Sequence, residues 1–145
     1  MKILILGWSI TRIMNKVIIA GSRSINDYSL VLEIIKESNF KIDEIVCGMA
    51  KGVDLLGKQY GIENNISIKE FPAKWDDLNV LPCTIKVNNY GKRYNVLAGH
   101  NRNRKMSEYA SHLILIWDGK SSGSRNMLKL AKEHGLIIYE KIIND

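Results

Sequence analysis

A three-layer α/β sandwich on a mainly parallel sheet of about five strands is the fold class this sequence predicts, on three observations. Short apolar runs alternate with amphipathic segments of helical spacing, the pattern of parallel strands joined by crossover helices. Glycine- and serine-containing turns follow the carboxyl ends of several of those runs. The 145 residues, 46% hydrophobic and 25% charged, suit one compact domain with a sizeable core rather than a two-domain enzyme or a disordered chain.

Taken in order, Met1 to Ile13 holds the apolar run Ile3 to Leu6 after a single lysine. It is too short for a secretion signal, and no A-x-A-like cleavage site follows, so export is not expected. Residues 1–14 read as an N-terminal extension, with Met14 as an alternative natural start, and residues 15–145 as the domain. Val17 to Ala20 is a β-branched strand that stops at Gly21-Ser22-Arg23; Asp27 to Ser38 then carries Leu30, Val31, Ile34 and Ile35 at helical spacing. Glu44 to Cys47 is a strand, Gly48 to Gly52 a loop, Val53 to Gly61 a helix with Leu55, Leu56 and Tyr60 on one face, and Ile66 to Phe71 a strand.

Lys74 to Asn101 has no sustained period and reads as a long loop carrying a small hairpin from Thr84 to Asn95; loops of that length usually serve a function. Arg102 to Ser111 reads as a helix, Leu113 to Trp117 as a continuous apolar strand, and Asp118 to Gly123 as a second Gly/Ser loop. Ser124 is expected to cap a helix running to about His134, Gly135 to end it, and Leu136 to Tyr139 to be the last strand. The resulting architecture is Rossmann-like, and such sheets bind ligands at the carboxyl ends of their strands, where the strand order reverses.

The 21 Lys plus Arg exceed the 15 Asp plus Glu, a formal charge of +6. The excess is concentrated: Leu78 to Ser107 contains Lys86, Lys92, Arg93, Arg102, Arg104 and Lys105 and no acidic residue. A positive stretch of this kind favours an anionic partner, with a solvated surface loop as the plain alternative. Cys47 and Cys83 have no metal-ligand spacing, and His100, His112 and His134 do not cluster with other ligands, so no metal site, disulfide framework or cofactor is expected, and the compartment reads as reducing and cytoplasmic. No apolar run approaches the roughly 18–20 residues of a membrane span.

Three loops end a strand and open a helix: Gly21-Ser22-Arg23, Gly48 to Gly52 with Lys51, and Gly119 to Ser124 with Gly123. Glycine lets backbone approach an anion, and free amides with the helix dipole supply positive potential. None is a Walker loop and no G-x-G-x-x-G occurs, which argues against ATP hydrolysis and ordinary dehydrogenase chemistry. Asp54, at the start of its helix, is either a ribose hydroxyl acceptor or a charge complementing the helix dipole. Arg102 and Arg104 offer planar forks suited to phosphate. Trp117 either stacks on a base or finishes the core.

The segments Val17 to Arg23, Ile45 to Asp54, Phe71 to Trp75, Ala98 to Met106 and Trp117 to Met127, in that order, resemble the SLOG superfamily, which includes the DprA and lonely-guy proteins, and most closely its small YspA-like branch. The resemblance implies a nucleotide-derived ligand over the strand ends; some relatives cleave an N-glycosidic bond and others only sense. In the lonely-guy phosphoribohydrolases a glutamate follows the loop matching Gly119 to Ser124, whereas Met127 stands at that place here, although Arg102 matches the arginine of the helix motif. Without that carboxylate, Glu108 or Asp118 would have to supply the acid.

The reading is therefore a protein that binds or senses a phosphorylated nucleotide or an ADP-ribose-like molecule. Gly21, Ser22, Arg23, Gly48, Lys51, Gly52, Asp54, Gly119, Gly123 and Ser124 would cradle phosphate and ribose, and Arg102 and Arg104 would clamp the anion. The enzymatic alternative is an N-glycosyl hydrolase acting on nucleoside monophosphates through Arg102, Asp118 and Glu108. Nucleic-acid binding through the basic stretch, as in the DprA relatives, ranks last, since only Tyr90 and Tyr94 interleave as aromatics. A homodimer and a phage or host signalling role stay open.

Overall fold

The computed structural model describes residues 2–6 and 9–144. The chain opens with an antiparallel pair, β1 (Lys2–Leu6) and β2 (Ser9–Ile13), in register from Lys2 opposite Ile13 to Leu6 opposite Ser9; the predicted extension falls on this pair. There follow β3 (Lys16–Gly21), α1 (Tyr28–Ser38), β4 (Glu44–Cys47), α2 (Val53–Glu63), β5 (Ser67–Glu70), a hairpin of β6 (Ile85–Val87) and β7 (Arg93–Asn95), α3 (Ala98–Tyr109), β8 (His112–Trp117), α4 (Ser122–Glu133) and β9 (Ile137–Ile142).

The main sheet has five parallel strands in the order β5-β4-β3-β8-β9, as the alternation of strands and helices predicts. Its middle strand is β3, buried from Val17 to Ala20, beside β8, buried at every position. Strand alternation divides the core into two. Val17, Ile19, Ile45, Ile114 and Ile116 pack against Val31, Ile34 and Ile35 of α1 and Val53 of α2. Ile18, Ala20, Val46, Leu113, Leu115 and Trp117 face Met106 of α3 and Met127, Leu130 and Ala131 of α4. Trp117 therefore finishes the core, its indole N–H donating to Glu140 at 2.8 Å.

Helix α1 starts where Asp27 Oδ1 accepts the Leu30 amide and stops at Asn39, whose φ of 55° turns the chain left-handed. Several boundaries differ from the sequence expectation, three of them for reasons visible in the packing. Helix α3 begins at Ala98, a turn before Arg102, because buried Ala98 docks against the domain and the Asn101 amide closes on Leu97 O despite Gly99. Helix α4 begins at Ser122, so Ser124 lies inside it, buried, and does not cap it. The turn is instead made by Asp118, whose Oδ1 accepts the amides of Lys120 and Ser121 at 2.8 and 2.9 Å. Strand β9 runs on to Ile142 because it pairs with the whole of β8, His112 opposite Ile137 and Trp117 opposite Ile142. Gly135 ends the turn after α4 with φ +71°, as expected. No helix among the described residues is long and apolar enough to cross a membrane.

Candidate ligand-binding site

The connection from β3 moves outward through β4 to β5, and that from β8 moves the other way to β9, so the strand order reverses between β3 and β8. There the βα turns diverge and leave a crevice above the sheet. A cavity of about 540 Å³ occupies this place, within the range of small-molecule sites. One wall is the amino end of α4, with Ser121 to Ser124; the other is α3, with Gly99, His100, Arg102 and Asn103; Ser22, Arg23 and Asp118 form the base and Trp75 the lip.

The loops at the base are tied together by backbone. The Ser22 amide donates to Ile116 O at 3.0 Å, and the Asp118 amide donates to Ser22 Oγ at 3.1 Å. Ser22 O accepts from Val53 N at 3.4 Å, which requires the β4–α2 loop to pass very close: a Cβ on Gly52, whose φ is +83°, would lie 2.4 Å from that oxygen. Buried Asn103 joins α3 to α4, its amide donating to Asn126 Oδ1 at 3.0 Å and Gly123 O at 3.3 Å, while its Oδ1 accepts Arg102 Nε at 2.9 Å. Asn103 thus aims the guanidinium.

Arg102 Nη1 donates to the carbonyl of Gly48. Gly48 separates Arg102 from Asp54: a Cβ there would lie 2.7 Å from Asp54 Oδ2 and 2.8 Å from Arg102 Nη1. Asp54 is nearly buried, and its Oδ2 accepts the Ala50 amide at 3.3 Å. Burial pushes its carboxyl up to about 6, against the pull of Arg102 and of backbone amides. Burial likewise draws the Arg102 guanidinium below its ordinary value, Asp54 opposing, with Arg23 repelling it. Two guanidiniums therefore share one buried carboxylate, a positive imbalance that an anion in the crevice would relieve.

A pH dependence follows. Asp54 holds its proton in the folded chain up to about pH 6 and loses it near its ordinary 3.8 when unfolded. Its contribution to stability is fully present below that ordinary value and is lost as pH rises through about 6. The pKa difference corresponds to about 3 kcal/mol. Urea denaturation between pH 4 and 7 should show this downward component, and Asp54→Asn should remove it.

Of the residues expected at the site, Ser22, Arg23, Arg102, Asp118, Gly123 and Ser124 line the crevice. Gly48 joins it through a side recess of about 150 Å³ shared with Arg23, Arg102 and Trp75, and Asp54 through a deeper one of about 70 Å³ shared with Ser124. Gly21 and Gly52 act behind the surface as close-packing positions, and Gly119, with φ +77°, as a turn. Lys51 is exposed and lines neither the crevice nor its recesses. The expected pairing of Arg104 with Arg102 is corrected: two residues apart on a helix, they face different directions, and Arg104 is exposed. Glu108 is exposed near the far end of the same helix. Asp118 lies at the crevice, but amides of Lys120 and Ser121 hold its carboxyl below the ordinary carboxylate range, which disfavours it as a proton donor.

Trp75, His100, Asn103 and Ser121 line the crevice without having stood out as site residues. Ser121 Oγ is buried and has no hydrogen-bond partner among the described residues, an exception to the rule that buried hydroxyls are paired. Its N-cap position before an apolar helical run was the available signal.

Comparison with known proteins agrees with this architecture. Residues 15–77, somewhat less than half of the chain, match the profile of the YspA, cpYpsA-related SLOG family. No curated protein matches. Among solved structures, the chain is similar to the X-ray structure of DNA processing protein A (DprA) from Streptococcus pneumoniae, with a TM-score of 0.64 and 20% identity, over 88% of this chain and 50% of that one. The chain thus spans half the length of that relative, and the likeness is one of fold. Through residues 15–77 the chain is thus similar to the YspA, cpYpsA-related SLOG family.

Proposed function

We propose that the crevice binds a phosphorylated nucleotide or a nucleotide-derived, ADP-ribose-like molecule. The observation that carries this reading is the meeting, in one cavity, of two guanidiniums with an opposing helix amino terminus whose N-cap hydroxyl is buried and unpartnered. Helix amino termini and arginine forks both favour phosphate oxygens, and the first-turn amides of α4 have no partners within the helix. Phosphate sits between Ser121 to Ser124 and Arg102, and Trp75, 40% exposed, offers a ring face to the base.

Calorimetric titration with nucleoside monophosphates, NAD and ADP-ribose tests the reading, which expects saturable binding by at least one of them. Absence of heat from every member up to millimolar concentration would overturn it. Ser121→Ala should weaken that binding about five- to tenfold, the value of one hydrogen bond, and leave thermal stability unchanged, because the hydroxyl bonds to nothing in the free protein.

A second reading, cleavage of a nucleoside monophosphate, is favoured by Asp54. At about pH 6 its buried carboxyl is poised to hand a proton to a departing base nitrogen as the C–N bond breaks. Water then adds to the anomeric carbon and returns a proton to the carboxylate, giving free base and ribose 5-phosphate. Release of base that disappears in Asp54→Asn supports it; no release from any monophosphate between pH 5 and 8 discards it.

A further inference from the structure

Helix α3 presents a second face beside the crevice, with Arg102 at the border between the two. Ala98, Asn101, Arg102 and Lys105 follow helical spacing and line a separate chamber of about 300 Å³ beside the carboxyl end of β5. Its apolar surface is built from Phe71, Pro72, Val80 and Ala98, with the Phe71 ring backed by Tyr109 at 5.5 Å between centroids. Around it stand Lys69, Lys74 and Lys105. The one carboxylate, Glu70, pairs with Lys58 at 3.6 Å, and among the described residues none of the three lysines has an ion-pair partner. Lys69 is held over the Phe71 ring, 5.9 Å from its centroid. Like charges gathered round an apolar, partly aromatic floor raise the local potential and suit a ligand with a flat apolar part and an anionic part.

We propose that this chamber is a second site for a phosphorylated nucleoside unit, its base on Phe71 and Pro72 and its phosphate on the lysines. Arg102, which lines both the chamber and the crevice, is the partition between the two. The unit comes either from a second mononucleotide or from the far half of a dinucleotide whose near half occupies the crevice. The mononucleotide form goes beyond the crevice reading and stands or falls separately from it, whereas the dinucleotide form rests on that reading.

The test is calorimetric titration of the full chain with adenosine monophosphate, and in parallel with NAD, on wild type, Ser121→Ala, and Lys69→Ala/Lys74→Ala/Lys105→Ala. The triple substitution removes side chains at exposed positions and should keep the fold, which circular dichroism checks. Expected are two adenosine monophosphates per chain, one of them weakened at least about tenfold in the triple variant and insensitive to Ser121→Ala. A single NAD weakened by both variants also supports the chamber as the site of its second half. Binding lost only in the triple variant supports the chamber and counts against the crevice. Binding of either ligand unchanged in the triple variant, or no binding of both, overturns the inference.

Discussion

Replacing Arg102 with alanine is expected to weaken nucleotide binding by about 100-fold or more, the combined loss of charge-assisted contacts to phosphate in a partly dehydrated crevice. Arg102 lines the crevice, both recesses and the β5-side chamber, and Asn103 and the Gly48 carbonyl fix its direction. Lysine should not restore binding, since a single ammonium cannot hold Asn103, Gly48 O and a phosphate together as a planar fork does. The same change removes the charge opposing Asp54's desolvation, so the Asp54 carboxyl should titrate higher still. Calorimetry on Arg102→Ala and Arg102→Lys reads the affinity, and urea melts at several pH values read the carboxyl.

The largest effect on stability is expected from Gly21→Ala. A Cβ at Gly21 would lie 1.7 Å from Ile116 O, the backbone of the neighbouring central strand, to which the Ser22 amide is also bonded. Nothing flexible can yield there, so β3 and β8 must separate at the base of the crevice. We expect a loss of about 4 kcal/mol and a fall in melting temperature of at least about 10 °C, or no soluble protein. Gly123→Ala is the contrast: a Cβ there meets nothing within 4 Å and lies in the first turn of α4, so stability should hold or rise slightly. Thermal melts of the two variants side by side check the difference. Glycines that look alike in a loop thus have different duties, one fixing the sheet and the other leaving space before a helix end.

The fold was legible because the inner strands are apolar runs and helices α1 and α4 each carry one largely apolar face. Leu113 to Trp117 could hardly be anything but a strand covered on both sides. The carboxyl-end loops were legible for the same reason, since strand ends and glycines locate them. Orientation was harder. Arg102 and Arg104 are equivalent as letters, and only the phase of α3, fixed by burial of Ala98, Asn103 and Met106, sends one inward and the other to solvent. That phase was hidden because the helix opens with Ala-Gly-His, which has no apolar period. Asp54 carried two open readings, and its burial against Arg102 depends on a contact spanning 48 residues of sequence, across the Gly48 notch, that local pattern does not encode. The start of α4 was placed too late because Asp118 folds the turn that a serine was expected to cap.

The most direct test of a phosphate crevice at the switch between β3 and β8 is an amide-resolved NMR titration with the tightest-binding nucleotide of the calorimetric panel. The account predicts saturable shifts at the backbone amides of Ser22 and Ser121 to Ser124, weakened in Arg102→Ala, and at the Arg102 side-chain Nε–H of the wild type. Shifts confined to the β6–β7 hairpin, with those crevice amides unmoved at saturation, would contradict it.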